Sequence, residues 1–97
     1  MPLVRIDLPR SIGAEERASI GEIVYQPLAD VFNVPAGDNF QIITAHYRGA
    51  LRNDTTYLDI NRSAAAFTVD ITLNIGRTVE LKKQFYATLV DRLNAEV

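Results

Sequence analysis

Met1-Pro2-Leu3-Val4-Arg5-Ile6-Asp7-Leu8 opens the chain with an alternating run: Val4, Ile6 and Leu8 fall on one face, Leu3, Arg5 and Asp7 on the other. A period of two marks a strand with one buried side. Pro9 and Ser11 to Gly13 break it, and the period then changes. Glu15 and Glu16 suit the first turn of a helix, and Ile20, Ile23, Val24, Leu28, Val31 and Phe32 recur along one helical stripe. Pro27 lies inside that stripe and is expected to kink the helix, because it cannot donate to the carbonyl of Ile23. Asn33 to Gly37, with Pro35 in the middle, stop the helix. Phe40-Gln41-Ile42-Ile43-Thr44-Ala45-His46-Tyr47 then reads as a second strand. Strand, helix and strand make a βαβ unit, so these two strands are expected to run parallel.

The chain then starts again. Residues 48 to 63 form a polar connection, in which Tyr57-Leu58-Asp59-Ile60 is a brief strand or turn. Ala65 to Asn74 alternates as a strand with Phe67, Val69, Ile71 and Leu73 on one side. Val79 to Leu93 is helical with Phe85, Tyr86, Leu89, Val90 and Leu93 expected to face inward. Ile6-Asp7-Leu8 matches Val69-Asp70-Ile71, and Ile12-Gly13 matches Ile75-Gly76, a shift of 63 (69 minus 6, 76 minus 13). In the helices Ile23, Val24, Leu28 and Val31 fall on Phe85, Tyr86, Val90 and Leu93, a shift of 62 (85 minus 23). The expectation is one α/β (α+β) domain over residues 1–97, a duplicated β-α-β fold with a mostly parallel small sheet and two helices on one face. Its first unit spans 2–47 and its second 64–97. The counterpart of the second strand would begin near residue 101 (39 plus 62), past Val97. Either the second unit is incomplete, or the sequence is truncated, or a strand of another subunit fills that place, since an unpaired sheet edge invites association.

Composition narrows the function. A single small core is marginal alone, which favours oligomers. At 47% hydrophobic and 23% charged residues the chain has a globular composition, and a net charge of -2 offers no basic footprint for nucleic acid. There is no cysteine, which removes disulfide and thiolate chemistry, and the lone histidine builds no zinc site without carboxylates. No apolar run is long enough for a membrane span, and Arg5, Asp7 and Arg10 interrupt any signal-peptide core. The expected location is cytoplasmic.

Pro2 is the candidate for unusual chemistry. If Met1 is removed, Pro2 becomes a secondary amine, and an α-amino group titrates near about 8, within reach of acid or base work at neutral pH. With Pro2-Leu3 come Phe32-x-Val34-Pro35-x-x-Asp38-x-Phe40-Gln41, His46-x-x-Gly49, Arg62-Ser63 and Gly76-Arg77-Thr78-x-Glu80-x-Lys82-Lys83, with Tyr86 beyond. On these blocks the sequence resembles the tautomerase superfamily, and within it the malonate semialdehyde decarboxylase-like branch.

The resemblance implies Pro2 as the proton-transfer group, Asp38 as the acidic residue beside it, and Arg77 as the grip on a substrate carboxylate. A carboxylate near the amine raises its pKa and favours its protonated form, and a guanidinium suits a carboxylate bidentately. The decarboxylase pattern carries a second arginine where this chain has Ile75, which weakens decarboxylation specifically. Arg62 is a candidate substitute. His46 matches in type, as structural residue or as acid or base, and Tyr57 and Tyr86 are possible phenol donors, Tyr86 being read as core. The implied activity is keto-enol interconversion of a small oxo-carboxylic acid, with no metal or organic cofactor. The alternatives are a malonate semialdehyde decarboxylase- or hydratase-like lyase, and a non-catalytic oligomer of the same fold. The implied assembly is a homotrimer, with a small carboxylate substrate as partner and neither nucleic acid nor membrane.

Overall fold

Alternation in the first strand decides which side of the sheet is covered. In the computed structural model, which describes residues 2–52, 66–73 and 76–96, β1 (Leu3–Pro9) buries Val4, Ile6 and Leu8 and leaves Leu3 and Arg5 exposed. Onto the buried side pack α1 (Ala14–Phe32) and α2 (Val79–Glu96). From α1 come Ile20, Val24, Leu28 and Phe32; from α2 come Phe85 and Leu89. Burying a side chain of this kind is worth roughly 1.5–3 kcal/mol, so this stripe, rather than helix propensity, holds both helices in place.

β1 is the central strand, with β2 (Phe40–His46) on one side and β3 (Thr68–Thr72) on the other. β1 and β2 are parallel, Leu3 opposite Phe40 and Pro9 opposite His46, as expected of a βαβ unit. β3 runs antiparallel to β1, Leu3 opposite Thr72 and Asp7 opposite Thr68. The sheet is therefore mixed, one parallel and one antiparallel pair. The reason lies in the repeat: two copies of a strand-helix unit related by a two-fold axis through the sheet must meet with their strands reversed. The axis passes between Ile6 and Val69, equivalent residues that stand opposite each other.

Local chemistry explains the element ends. Asn33 closes α1 in the left-handed region (φ 55, ψ 37), which asparagine tolerates, and its N–H and that of Val34 both reach the carbonyl of Leu28. α1 runs unbroken through Pro27, which is fully buried. Gly21 is buried because β2 comes close: Gln41 Nε2 donates to its carbonyl at 2.7 Å. Thr78 starts α2, its Oγ accepting from the N–H of Leu81 at 3.1 Å.

α2 departs from expectation at two positions. Tyr86 is 62% exposed and Val90 52%, although both lie on the apolar stripe. Three strands cover only part of that stripe. Among the described residues no helix covers the other face of the sheet, and Leu3, Phe40 and Ile42 are exposed on it.

Candidate active site

Strand register brings the sequence's candidates to one end of the sheet. Continuing the two ladders by one residue sets Pro2 level with Asn39 on the β2 side and Leu73 on the β3 side. Asp38 is one residue further along the chain entering β2, and Gly76-Arg77 lie on the chain leaving β3 toward α2. All three segments meet there for a topological reason: β1 and β2 begin at this end and the antiparallel β3 finishes at it.

Pro2 shares the buried side of β1 with Val4, Ile6 and Leu8, and its side chain is fully buried. Asp38 is half-buried, and its N–H donates to the carbonyl of Pro35 at 3.0 Å, a turn that fixes the approach to β2. Arg77 is half-buried, its guanidinium 5.6 Å from the centroid of the Phe32 ring. Phe32 stacks in turn on Phe85, centroids 5.0 Å apart and planes at 22°. Gly76 takes φ 117, open to glycine and costly for other residues, so the chain turns sharply just before Arg77.

This aromatic support was not read from the sequence as part of the site. Phe32 stood in the recognised block, yet periodicity marked it only as a core residue. Its contact with Arg77 depends on the end of α1 approaching the start of α2, which no local pattern encodes.

A groove of about 580 Å³ runs from Arg77 along the outer edge of β3, between that strand and α2. Val69, Ile71, Phe85 and Leu89 form its apolar floor, and Arg77 and Lys82 line its polar side. Tyr86 lines it too, which accounts for the exposure of that ring. By the two-fold relation this groove holds the place beside β3 that β2 holds beside β1.

His46 lies elsewhere. It sits at the far end of β2, opposite Pro9, and its Nε2 is 2.7 Å from Oδ1 of Asp7. That places it a strand length, roughly 20 Å, from Pro2, so within one protomer it serves the sheet and not the proline. Arg62 and Tyr57 lie outside the described residues. Among the described residues no group of three His, Cys, Asp or Glu side chains could hold a metal ion, and no helix is long and apolar enough to cross a membrane.

A family model described as "Tautomerase enzyme" matches residues 38–97, more than half of the chain. The chain belongs to the tautomerase family. Two curated Bacillus subtilis (strain 168) relatives carry the family name. "Probable tautomerase YusQ" is 28% identical over 97 residues, the whole of this chain and 76% of that protein. "Probable tautomerase YrdN" is 28% identical over 96 residues, 99% of this chain and 74% of that one.

Solved structures agree at the level of fold and branch. FG41 malonate semialdehyde decarboxylase, inhibited by 3-bromopropiolate, superposes with a TM-score of 0.83 at 34% identity, covering 96% of this chain and 71% of that one. Another malonate semialdehyde decarboxylase, known in wild-type, mutant and inactivated forms, gives 0.85 at 26% identity over 97% of this chain and 72% of the other. The resemblance read from Pro2 and the later blocks is therefore borne out in both family and branch.

Proposed function

We propose that this tautomerase-family protein is a cofactor-independent isomerase that moves a proton on a small oxo-carboxylic acid through the amine of Pro2, once Met1 has been removed. The observation that carries the reading is the meeting of Pro2, the Asp38 turn and the Gly76-Arg77 segment at one end of the sheet.

Arg77 anchors the substrate carboxylate, its guanidinium kept in plane by the ring of Phe32. With the carboxylate held, the carbon next to the carbonyl is presented to the Pro2 nitrogen. The nitrogen takes the proton from carbon and returns it to the other end of the enolate, so the bond order shifts while the atoms are conserved. Negative charge develops on the carbonyl oxygen, where Arg77 and any nearby donor stabilise it. Asp38 favours the protonated amine, which sets the balance between its base and acid roles.

A second reading is favoured by a specific observation, the 34% identity to a malonate semialdehyde decarboxylase. In that reading Pro2 stays protonated and acts as an acid in decarboxylation or hydration of a 3-oxo acid. Ile75, where the branch carries a second arginine, stands against it. The bare sheet face with Leu3, Phe40 and Ile42 supports assembly into a homo-oligomer, for which a trimer is the proposed form.

Parallel assays separate the readings. Ketonisation of phenylenolpyruvate or 2-hydroxymuconate without release of carbon dioxide from malonate semialdehyde supports the isomerase. Decarboxylation without ketonisation supports the lyase, and neither activity in protein free of Met1 supports a non-catalytic fold.

A further inference from the structure

The opposite end of the sheet holds a second cavity, of about 740 Å³, unconnected with Pro2 in the proposed chemistry. Its walls are built by two turns. β1 leaves the sheet through a turn closed by the Ile12 N–H donating to the carbonyl of Pro9 at 3.1 Å, and β2 through one closed by the Ala50 N–H donating to Tyr47 at 2.9 Å. Each turn carries an arginine at its second position, Arg10 in the first and Arg48 in the second. Gly49 follows with φ 87, the conformation a tight turn of this kind asks of its third residue. The Arg10 N–H donates to the carbonyl of His46 at 2.8 Å, extending the ladder and locking the two turns side by side.

Both arginines line the cavity together with Ser11 and His46. Arg10 lies over the ring of Tyr47, 4.8 Å from its centroid, which orders the guanidinium without neutralising it. Among the described residues neither arginine is in an ion pair; Asp7, the carboxylate at this end of the sheet, is taken by His46. Glu15 and Glu16 occupy the first turn of α1 and do not line the cavity. In a chain of net charge -2, two guanidiniums in adjoining turns, with no ion-pair partner among the described residues, concentrate positive potential at one spot. The spot lies at the carboxyl ends of β1 and β2, the parallel pair.

We infer that Arg10 and Arg48 form an anion-binding site for a small carboxylate or phosphate, separate from the Pro2 end and roughly 25 Å from it along β1. The two guanidiniums grip the oxyanion, and the Ser11 hydroxyl is the additional donor within the cavity wall. The site goes beyond the proposed isomerase chemistry and does not depend on it.

The test is an amide chemical-shift titration of the full chain with inorganic phosphate and, in a parallel series, succinate. Saturable shifts at Arg10, Ser11 and residues 47–50 are expected, with half-saturation raised about tenfold or more by Arg10→Ala or Arg48→Gln and unchanged by Arg77→Ala. The series with the lower half-saturation identifies phosphate or carboxylate as the preferred source. Shifts that fail to saturate in both series, that survive the double variant Arg10→Ala/Arg48→Gln, or that vanish in Arg77→Ala overturn the site. Both arginines are solvent-facing, and an unchanged spectrum elsewhere in the variants shows that the fold is intact.

Discussion

Ile6 and Val69 stand directly opposite each other in the β1–β3 ladder, and they are the same position of the two halves of the chain. A second equivalent pair meets among the helices, where Arg92 Nη2 donates to Asp30 Oδ2 at 2.7 Å, 62 residues apart, the shift that aligns α1 with α2. The two-fold relation thus runs through sheet and helix layers alike, and it sets the end of the sheet to which Pro2, the Asp38 turn and the Gly76-Arg77 segment all belong.

The helix layer gives the first expectation. The Asp30–Arg92 pair is exposed, 53% and 38% by side chain, so Asp30→Ala costs at most about 1 kcal/mol. Phe85, 2% exposed and stacked on Phe32, is different: Phe85→Ala costs about 3–5 kcal/mol. Urea denaturation of both variants measures the contrast, and equal losses would show that the core does not centre on these rings.

Gly21 is an exception to the usual helix rule. Alanine at an exposed helical site gains about 1 kcal/mol over glycine. A Cβ here would lie 2.5 Å from Gln41 Oε1 and 3.2 Å from Ile43 Cδ1, displacing the side chain that bonds the Gly21 carbonyl. Gly21→Ala therefore forfeits that gain, measured as a denaturation midpoint no higher than wild type at constant slope.

The roles proposed for Arg77 and its aromatic support are read out in substrate binding. Arg77→Ala raises KM for an oxo-acid substrate by about 10- to 100-fold through loss of charge-assisted bonds to the carboxylate. Arg77→Lys retains the charge and loses the fork, so it falls between. Phe32→Leu keeps an apolar side chain but removes the ring under the guanidinium and its stack on Phe85. It raises KM by a smaller factor than Arg77→Ala and lowers stability by about 1–2 kcal/mol through the lost stack on Phe85, effects that steady-state kinetics and parallel melts separate.

Asp38 is read out by pH. A carboxylate near the amine stabilises its protonated form, so Asp38→Asn lowers the pKa of Pro2. Whichever role Pro2 plays, the limb of the pH–rate profile that reports it moves to lower pH: the rising limb if the amine is a base, the falling limb if it is an acid. An unmoved limb would separate Asp38 from the proline.

Much of this was legible in the residues. Alternation in Val4, Ile6 and Leu8 gave the covered face, and the repeat gave the second strand-helix unit. Parallel pairing of β1 with β2, and so the nearness of the Asp38 turn to Pro2, followed from the βαβ rule. The direction of β3 was harder to read, because sequence similarity between units carries no sign for the symmetry that relates them. Tyr86 and Val90 were misread for a physical reason: an apolar stripe records how much surface a helix offers to bury, while three strands cover less than that. The Arg77–Phe32 contact joins the end of one helix to the start of another, and only the folded chain shows it.

The central claim is that the Pro2 amine transfers the proton, and the most direct measurement is the ketonisation rate of phenylenolpyruvate by wild type and Pro2→Ala, both shown by intact mass to lack Met1. The account predicts a loss of kcat/KM of about 10²-fold or more in Pro2→Ala with the fold intact. Equal rates for the two proteins would contradict it.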